Sequence, residues 1–248
     1  MKTKTSTATG NTRMNIENKN DLSPKVFASN ANILKYLIII VLYGLSSSTV
    51  DAQTQIIGTV KDYYYPEGTT KTKVVEDDDN LFELYVKFSG FNLSGVGKLT
   101  GLNYFKGEKI VHIENTVSVE SNEIVLTEHN IIWNALGEKK YTKERKAILK
   151  LPKPGMTVSW SPMAEVTIKA TLVNLQIEIN GEKTTVLAIK DVEIHKNCQI
   201  VRYWGKNKGF VFEMSNESNE VFSYNAGIGL TSLSFKEMPF DAQKIINN

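Results

Sequence analysis

His112, His129 and His195 are the only histidines of the chain and Cys198 its only cysteine. A zinc or iron site draws three or four ligands from such residues, usually with two of them spaced to share one helix face or one strand face. No two of these histidines are spaced that way, so neither a metal nor any other cofactor is expected. Ser94 lacks the flanking glycines of a nucleophile elbow, and Cys198, beside Lys196 and Asn197, has no evident base to activate it. Carboxylates are numerous enough for a glycosidase pair, yet nothing in their spacing selects two of them. The residue types therefore point to a protein that is not an enzyme.

Four stretches could instead bind. Tyr63-Tyr64-Tyr65-Pro66-Glu67-Gly68 could offer rings to a carbohydrate or partner, but Pro and Gly beside exposed tyrosines are ordinary turn chemistry, and a turn is expected. Glu76-Asp77-Asp78-Asp79-Asn80 has consecutive acids and no glycine, unlike the alternating ligands of a helix-loop-helix calcium site, so a solvated loop is expected. Gly95, Gly97 and Gly101 miss the dinucleotide-binding spacing and precede no helical period, so they read as bent or bulged strands. Lys139-Lys140-Tyr-Thr-Lys143-Glu-Arg145-Lys146, with Lys150 and Lys153 beyond, is the one basic cluster. Glu138 and Glu144 dilute it, and a hairpin rim that guards a sheet edge is expected rather than a phosphate-binding patch.

The elements that must carry these residues are strands. Val166 to Leu172 and then, after a phase change at Val173 and Asn174, Leu175 to Ile179 alternate apolar and polar residues, which predicts one dry and one wet face. Asn180-Gly181 follows, the pair that most readily takes the positive φ angles of a tight hairpin, and Thr184 to Ile194 returns. Phe82, Leu84, Val86 and Phe88 alternate strictly. Gln55 to Val60 reads as a first strand and Lys61 to Asp79 as a polar connection. Ile110–Glu114, Val117–Val119, Ile124–Thr127 and Ile131–Trp133 read as brief strands, followed by Ala147 to Leu151. Pro152-Lys-Pro154-Gly155 turns into Trp160, and Gln199–Trp204, Phe210–Met214 and a last strand through Phe235 complete the set. No helix longer than two turns is evident. The fold class is all-β, a mostly antiparallel curved sheet arranged as a sandwich or an open barrel-like meander.

Residues 1–52 read as a disordered leader followed by a signal peptide. Lys35, the apolar run Tyr36 to Leu45, three serines and Val50-Asp51-Ala52 stand in the order of a secretory signal, with cleavage expected between Ala52 and Gln53 and Met14 an alternative start. The apolar run is about half of the 20 residues a membrane span needs, so no permanent span is expected after cleavage. Of the 29 basic and 27 acidic residues, six and three lie in Met1–Ala52; the remaining 196 residues carry 23 and 24, a net charge of −1. A near-neutral chain has no general attraction for nucleic acid or anionic lipid. With a single cysteine no intramolecular disulfide forms, so the core must stabilise the fold. Residues 53–240 are expected to be one β domain in two meander halves, with a boundary near 152–162. The expected location is secreted or periplasmic, in a bacterial cell envelope.

Near the C-terminus, Tyr224-Asn225-Ala226-Gly227-Ile228-Gly229-Leu230 resembles the signature, roughly Tyr, any residue, small or Pro, Gly, Ile or Val, Gly, Leu and then Val, of DUF3108-like exported β-sheet proteins. Pro152-Lys-Pro-Gly155 ahead of Trp160 is similar to a turn of the same group, while Ser223 and Thr231 stand where an aromatic and a valine are usual. The resemblance implies an extended antiparallel sheet without catalytic residues. An antiparallel sheet with no covering helices must bury its apolar face on something. The expected role is to bind an apolar or lipid-like molecule, with Trp204, Phe210, Phe212 and Met214 lining the concave side. A structural or adhesive β-sandwich without a cavity is the alternative, and an envelope or carbohydrate-acting enzyme a third.

Overall fold

A computed structural model describes residues 56–75, 82–133 and 138–241, and these belong to one compact unit. The expected leader, the cleavage site at Ala52 and Gln53 and the acidic run Glu76–Asn80 lie outside the described residues. The first half supplies β1 (Gly68–Val74), β2 (Phe82–Phe88), β3 (Val96–Phe105), β4 (Glu108–Glu120), β5 (Glu123–Trp133), β6 (Glu138–Thr142) and β7 (Lys146–Lys150). The second supplies β8 (Val158–Met163), β9 (Val166–Ile179), β10 (Glu182–Ile194), β11 (Gln199–Gly205), β12 (Gly209–Ser215), β13 (Val221–Asn225) and β14 (Leu230–Pro239). All these strands join one open, antiparallel sheet that does not close into a barrel. Each half is a meander, and the last strand of the second meander, β13, pairs with the first strand of the first, β1. β14 returns to the edge of β9, and β8 pairs with the same edge.

The hairpin between β9 and β10 turns at Asn180 and Gly181, whose φ angles of 52° and 83° are the left-handed pair a two-residue turn needs. The alternation in β9 is legible, but its consequence differs from the expectation of one wet face. Leu172, Val173, Asn174 and Leu175 are all buried. Ala170 and Leu172 pack into one cluster, and Val173, Leu175 and Ile177 into a second on the opposite face. The phase change thus moves the dry side of the strand from one core to the other, so that each face is dry along one half of β9.

The first cluster draws Phe88 from β2, Val117 from β4, Ile124 from β5, Leu149 from β7 and Leu187 and Ile189 from β10. Strands far apart in sheet order meet there, so the sheet curls until its two ends face each other. Trp160 of β8 donates its indole N–H to the Ala147 carbonyl of β7 at 2.9 Å, spanning the two edges. The filling between them is the segment Ile57–Tyr64. Residues Val60–Tyr63 form a 3-10 turn, not the end of a strand, with Asp62 accepting from the Thr59 amide at 2.7 Å to cap it. Tyr63 and Tyr64 are buried, at 0% and 3% exposure, where turn tyrosines in solvent were expected. The Tyr63 hydroxyl donates to the Ile57 carbonyl at 2.8 Å, which removes the cost of burying it. The expected polar connection is also corrected, because β1 lies within it. The brief strands expected between Ile110 and Trp133 are two long ones, β4 and β5, whose register slips at Thr116/Val117 through a bulge.

The second cluster lies on the outer face of β9–β12 and is roofed by the bulged strand β14. Phe235 stacks near Tyr203 and Phe212, at ring separations of 5.7 and 4.9 Å. β14 continues to Pro239, four residues past the expected end at Phe235. Residues 152–162 hold the turn between β7 and β8 and most of β8.

Candidate functional site

Register sets up the polar feature of the inner face. Asp191 of β10 stands opposite Arg202 of β11, Arg202 opposite Glu213 of β12, and Glu213 opposite Ser223 of β13. Directly opposed residues share a face and lie side by side, so the four form one straight row across four strands. Arg202 Nε donates to Glu213 Oε2 at 3.1 Å, and Ser223 Oγ donates to Glu213 Oε1 at 2.8 Å. Arg202 also donates through Nη1 to Glu193, whose Oε1 lies 2.6 Å from His195 Nε2. Trp204 closes the group by donating its indole N–H to Asp191 Oδ2 at 2.5 Å.

One guanidinium therefore serves three carboxylates. Asp191 is 2% exposed, and its Oδ1 has no hydrogen bond and faces Arg202 Nη1 at 3.8 Å. Burial pushes the Asp191 carboxyl up to about 7, against the pull of Arg202 and the Trp204 bond. Glu193 is also partly desolvated, but its bond to Arg202, the Arg202 charge and His195 outweigh burial and hold it below the usual carboxylate range. Arg202 is raised despite burial, since Asp191, Glu193 and Glu213 surround it.

In front of this row lies a cleft of about 270 Å³. Arg202, Glu213 and Ser223 form its polar side, and Tyr65, Trp204 and Phe210 its aromatic side. The facing wall comes from the first meander and is mixed: Thr72 of β1, Leu84, Tyr85 and Val86 of β2, Leu99, Gly101 and Asn103 of β3, and Ile113 and Asn115 of β4. Tyr65 and Trp204 meet edge to face at 5.6 Å, as do Trp204 and Phe210 at 5.7 Å. Tyr64 holds the far side of the Trp204 ring, nearly parallel at 6.2 Å. Burial and then Glu213 raise the Tyr65 hydroxyl, so the phenol stays protonated and can donate.

Of the four residues expected to line the concave side, the structure brings together two. Trp204 and Phe210 line the cleft. Phe212 and Met214 are buried in the second cluster on the opposite face, at 1% and 3% exposure. The reason is a bulge: Tyr203 pairs with Phe212 but Trp204 with Phe210, leaving Val211 extra. A strict alternation read from the sequence places Phe210 and Phe212 on one face, and the bulge separates them. The charged row was missed altogether. Its signal is the polar residues Asp191 and Glu193 at inward positions of an otherwise apolar strand, in register with Arg202 through the hairpin between them.

A larger hollow of about 670 Å³ opens between the β4–β5 turn and residues 150–159. None of its polar side chains is buried, Met156 is 58% exposed, and Lys150 is paired with Glu123 at 2.6 Å. It lacks the enclosed polar group that fixes a ligand's orientation. The basic cluster forms β6 and β7 on the edge of β5; Arg145 pairs with Glu120, and Lys146 with Glu144 at 3.2 Å. Cys198 is exposed as a free thiol. His112 lies 3.3 Å from Glu114, and His129 contacts Asn115 at 2.5 Å. Among the described residues no group of three or more His, Cys, Asp and Glu is placed to hold a metal, and no helix is long and apolar enough to cross a membrane.

No family model, no curated protein and no solved structure matches this chain.

Proposed function

We propose that the protein is an exported, non-enzymatic binding module that shelters one small amphiphilic molecule in the cleft between its two meanders. The observation that carries this reading is one cleft that sets the apolar side chains Leu84, Val86, Leu99 and Ile113, with Thr72, Asn103 and Asn115 among them, against a hydrogen-bonded row, Arg202, Glu213 and Ser223. An apolar body and a polar end are what such a division accommodates. At about 270 Å³ the cleft sits below the roughly 300–1,000 Å³ of common ligand pockets. That size favours a short single-chain or single-ring amphiphile over a two-chain lipid.

The raised Asp191 and the ionised Glu193 have the divergent acidities of an acid-base pair, but the geometry favours binding. Asp191 is not on the cleft wall, and Glu213, which is, has both carboxylate oxygens engaged by Ser223 and Arg202. Export rests on the apolar run Tyr36–Leu45 and the compact residues Val50 and Ala52. N-terminal sequencing of secreted protein is expected to begin near Gln53; a start well upstream overturns export.

Organic extraction and mass spectrometry of protein purified from its own host test the binding role, together with thermal shifts against short amphiphiles. A ligand at 100 times its dissociation constant adds about 2.7 kcal/mol of stability. An empty extract and no thermal shift with any amphiphile overturn the binding role in favour of a packed structural sheet.

A further inference from the structure

We infer that the polar end of the ligand is an organic cation, an alkylammonium or similar group, held between Glu213 and the Tyr65, Trp204 and Phe210 rings; this rests on the binding role proposed above. The first ground is charge. Among the described residues Arg202 is the one cationic group on the cleft wall, and Glu213, Glu193 and Asp191 surround its guanidinium. An anionic head approaching this guanidinium would also meet the like charges of the carboxylates around it. Glu193 and Glu213 against one guanidinium leave the polar end with excess negative charge even when the buried Asp191 carboxyl holds its proton.

The second ground is the rings. Tyr65, Trp204 and Phe210 all line the cleft beside this end, and the faces of aromatic rings attract cations, most strongly when solvent is excluded. Among the described residues no lysine lines the cleft to compete for those faces. A carboxylate or phosphate head gains nothing from the rings and is repelled by Glu213. A neutral hydroxyl gains only a hydrogen bond. The apolar body of all three would be accommodated equally by Leu84, Val86 and Ile113, so the head alone sets the preference.

Calorimetric titration of the full chain with hexylamine, hexanol and hexanoate tests this. The three differ in the head alone. Hexylamine is expected to bind at least about tenfold more tightly than the other two, a difference of about 1.4 kcal/mol. Glu213→Gln is expected to remove most of that preference, read as the ratio of hexylamine to hexanol affinity in the variant itself. Raising salt from about 0.05 to 0.5 M is expected to weaken hexylamine and leave hexanol unchanged, a measurement that needs no variant to fold. Equal binding of all three, or tighter binding of hexanoate, overturns the cation assignment and leaves the cleft as a site. Binding by none of them overturns the binding role itself.

Discussion

Phe210 and Phe212 stand two positions apart in one strand and face opposite sides of the sheet. Phe210 meets Trp204 in the cleft at a ring separation of 5.7 Å, and Phe212 meets Tyr203 at 4.8 Å in the outer core. The two positions therefore separate binding from stability. Phe212→Ala is expected to lose about 3–5 kcal/mol of stability, as large core aromatics do when truncated, with amphiphile affinity retained by the folded protein. Phe210→Leu is expected to cost less stability and to weaken amphiphile binding. Urea denaturation and calorimetry on the same two variants check the pair; similar losses of affinity in both contradict the bulge's division of faces.

Asp191 gives the protein a stability profile of defined sign. Its carboxyl is raised from 3.8 to about 7, so between those values the native state holds a proton that the unfolded state has released. Stability from this group is full below about pH 4 and falls as pH rises to about 7, by up to roughly 4 kcal/mol. Glu193 acts in the opposite sense, since its lowered pKa supplies stability above its ordinary value of 4.5 that is lost as pH falls. Asp191→Asn is expected to flatten the decline between pH 5 and 7 and to be more stable than the wild type at pH 8. Denaturation midpoints across that range check it, and an unchanged slope in the variant contradicts it.

Gly209 ties the β11–β12 turn to the buried tyrosine segment. It has a φ of 69°, and a Cβ there would lie 3.0 Å from Tyr65 Cα and 3.1 Å from the Tyr64 carbonyl oxygen. Backbone on both sides leaves no flexible side chain to yield. Gly209→Ala is expected to cost about 1–3 kcal/mol and to weaken amphiphile binding through displacement of Tyr65. Gly181→Ala has a similarly strained φ of 83° but open space around it, so it is expected to lose stability without losing affinity.

Tyr63 is a core residue with one polar need. Tyr63→Phe removes the donor to the Ile57 carbonyl and is expected to cost about 1 kcal/mol. Thermal denaturation checks this, and a stabilised variant contradicts it.

Much of the sheet was legible because turns and alternation are local. Asn180-Gly181 announced its hairpin, and Phe82 to Phe88 announced β2. The buried tyrosines were not legible, because Tyr63-Tyr64-Tyr65 before Pro66 has the composition of a turn; only the curl of the sheet around it makes it core. The bulge at Val211 was also hidden, since one extra residue leaves the local pattern of Phe210, Phe212 and Met214 intact while reversing a face. The row Asp191–Arg202–Glu213–Ser223 was within reach. It requires counting register through three successive hairpins, after which inward charges on apolar strands become opposed partners.

The central claim is that a small amphiphile occupies the cleft between the meanders, and a two-dimensional amide and indole NMR titration with hexylamine tests it most directly. The account predicts saturable shifts at Tyr65, Val86, Phe210, Glu213 and the Trp204 indole N–H, with little change at Met214. Shifts confined to residues 150–159, or no saturable shift at the cleft, would contradict it.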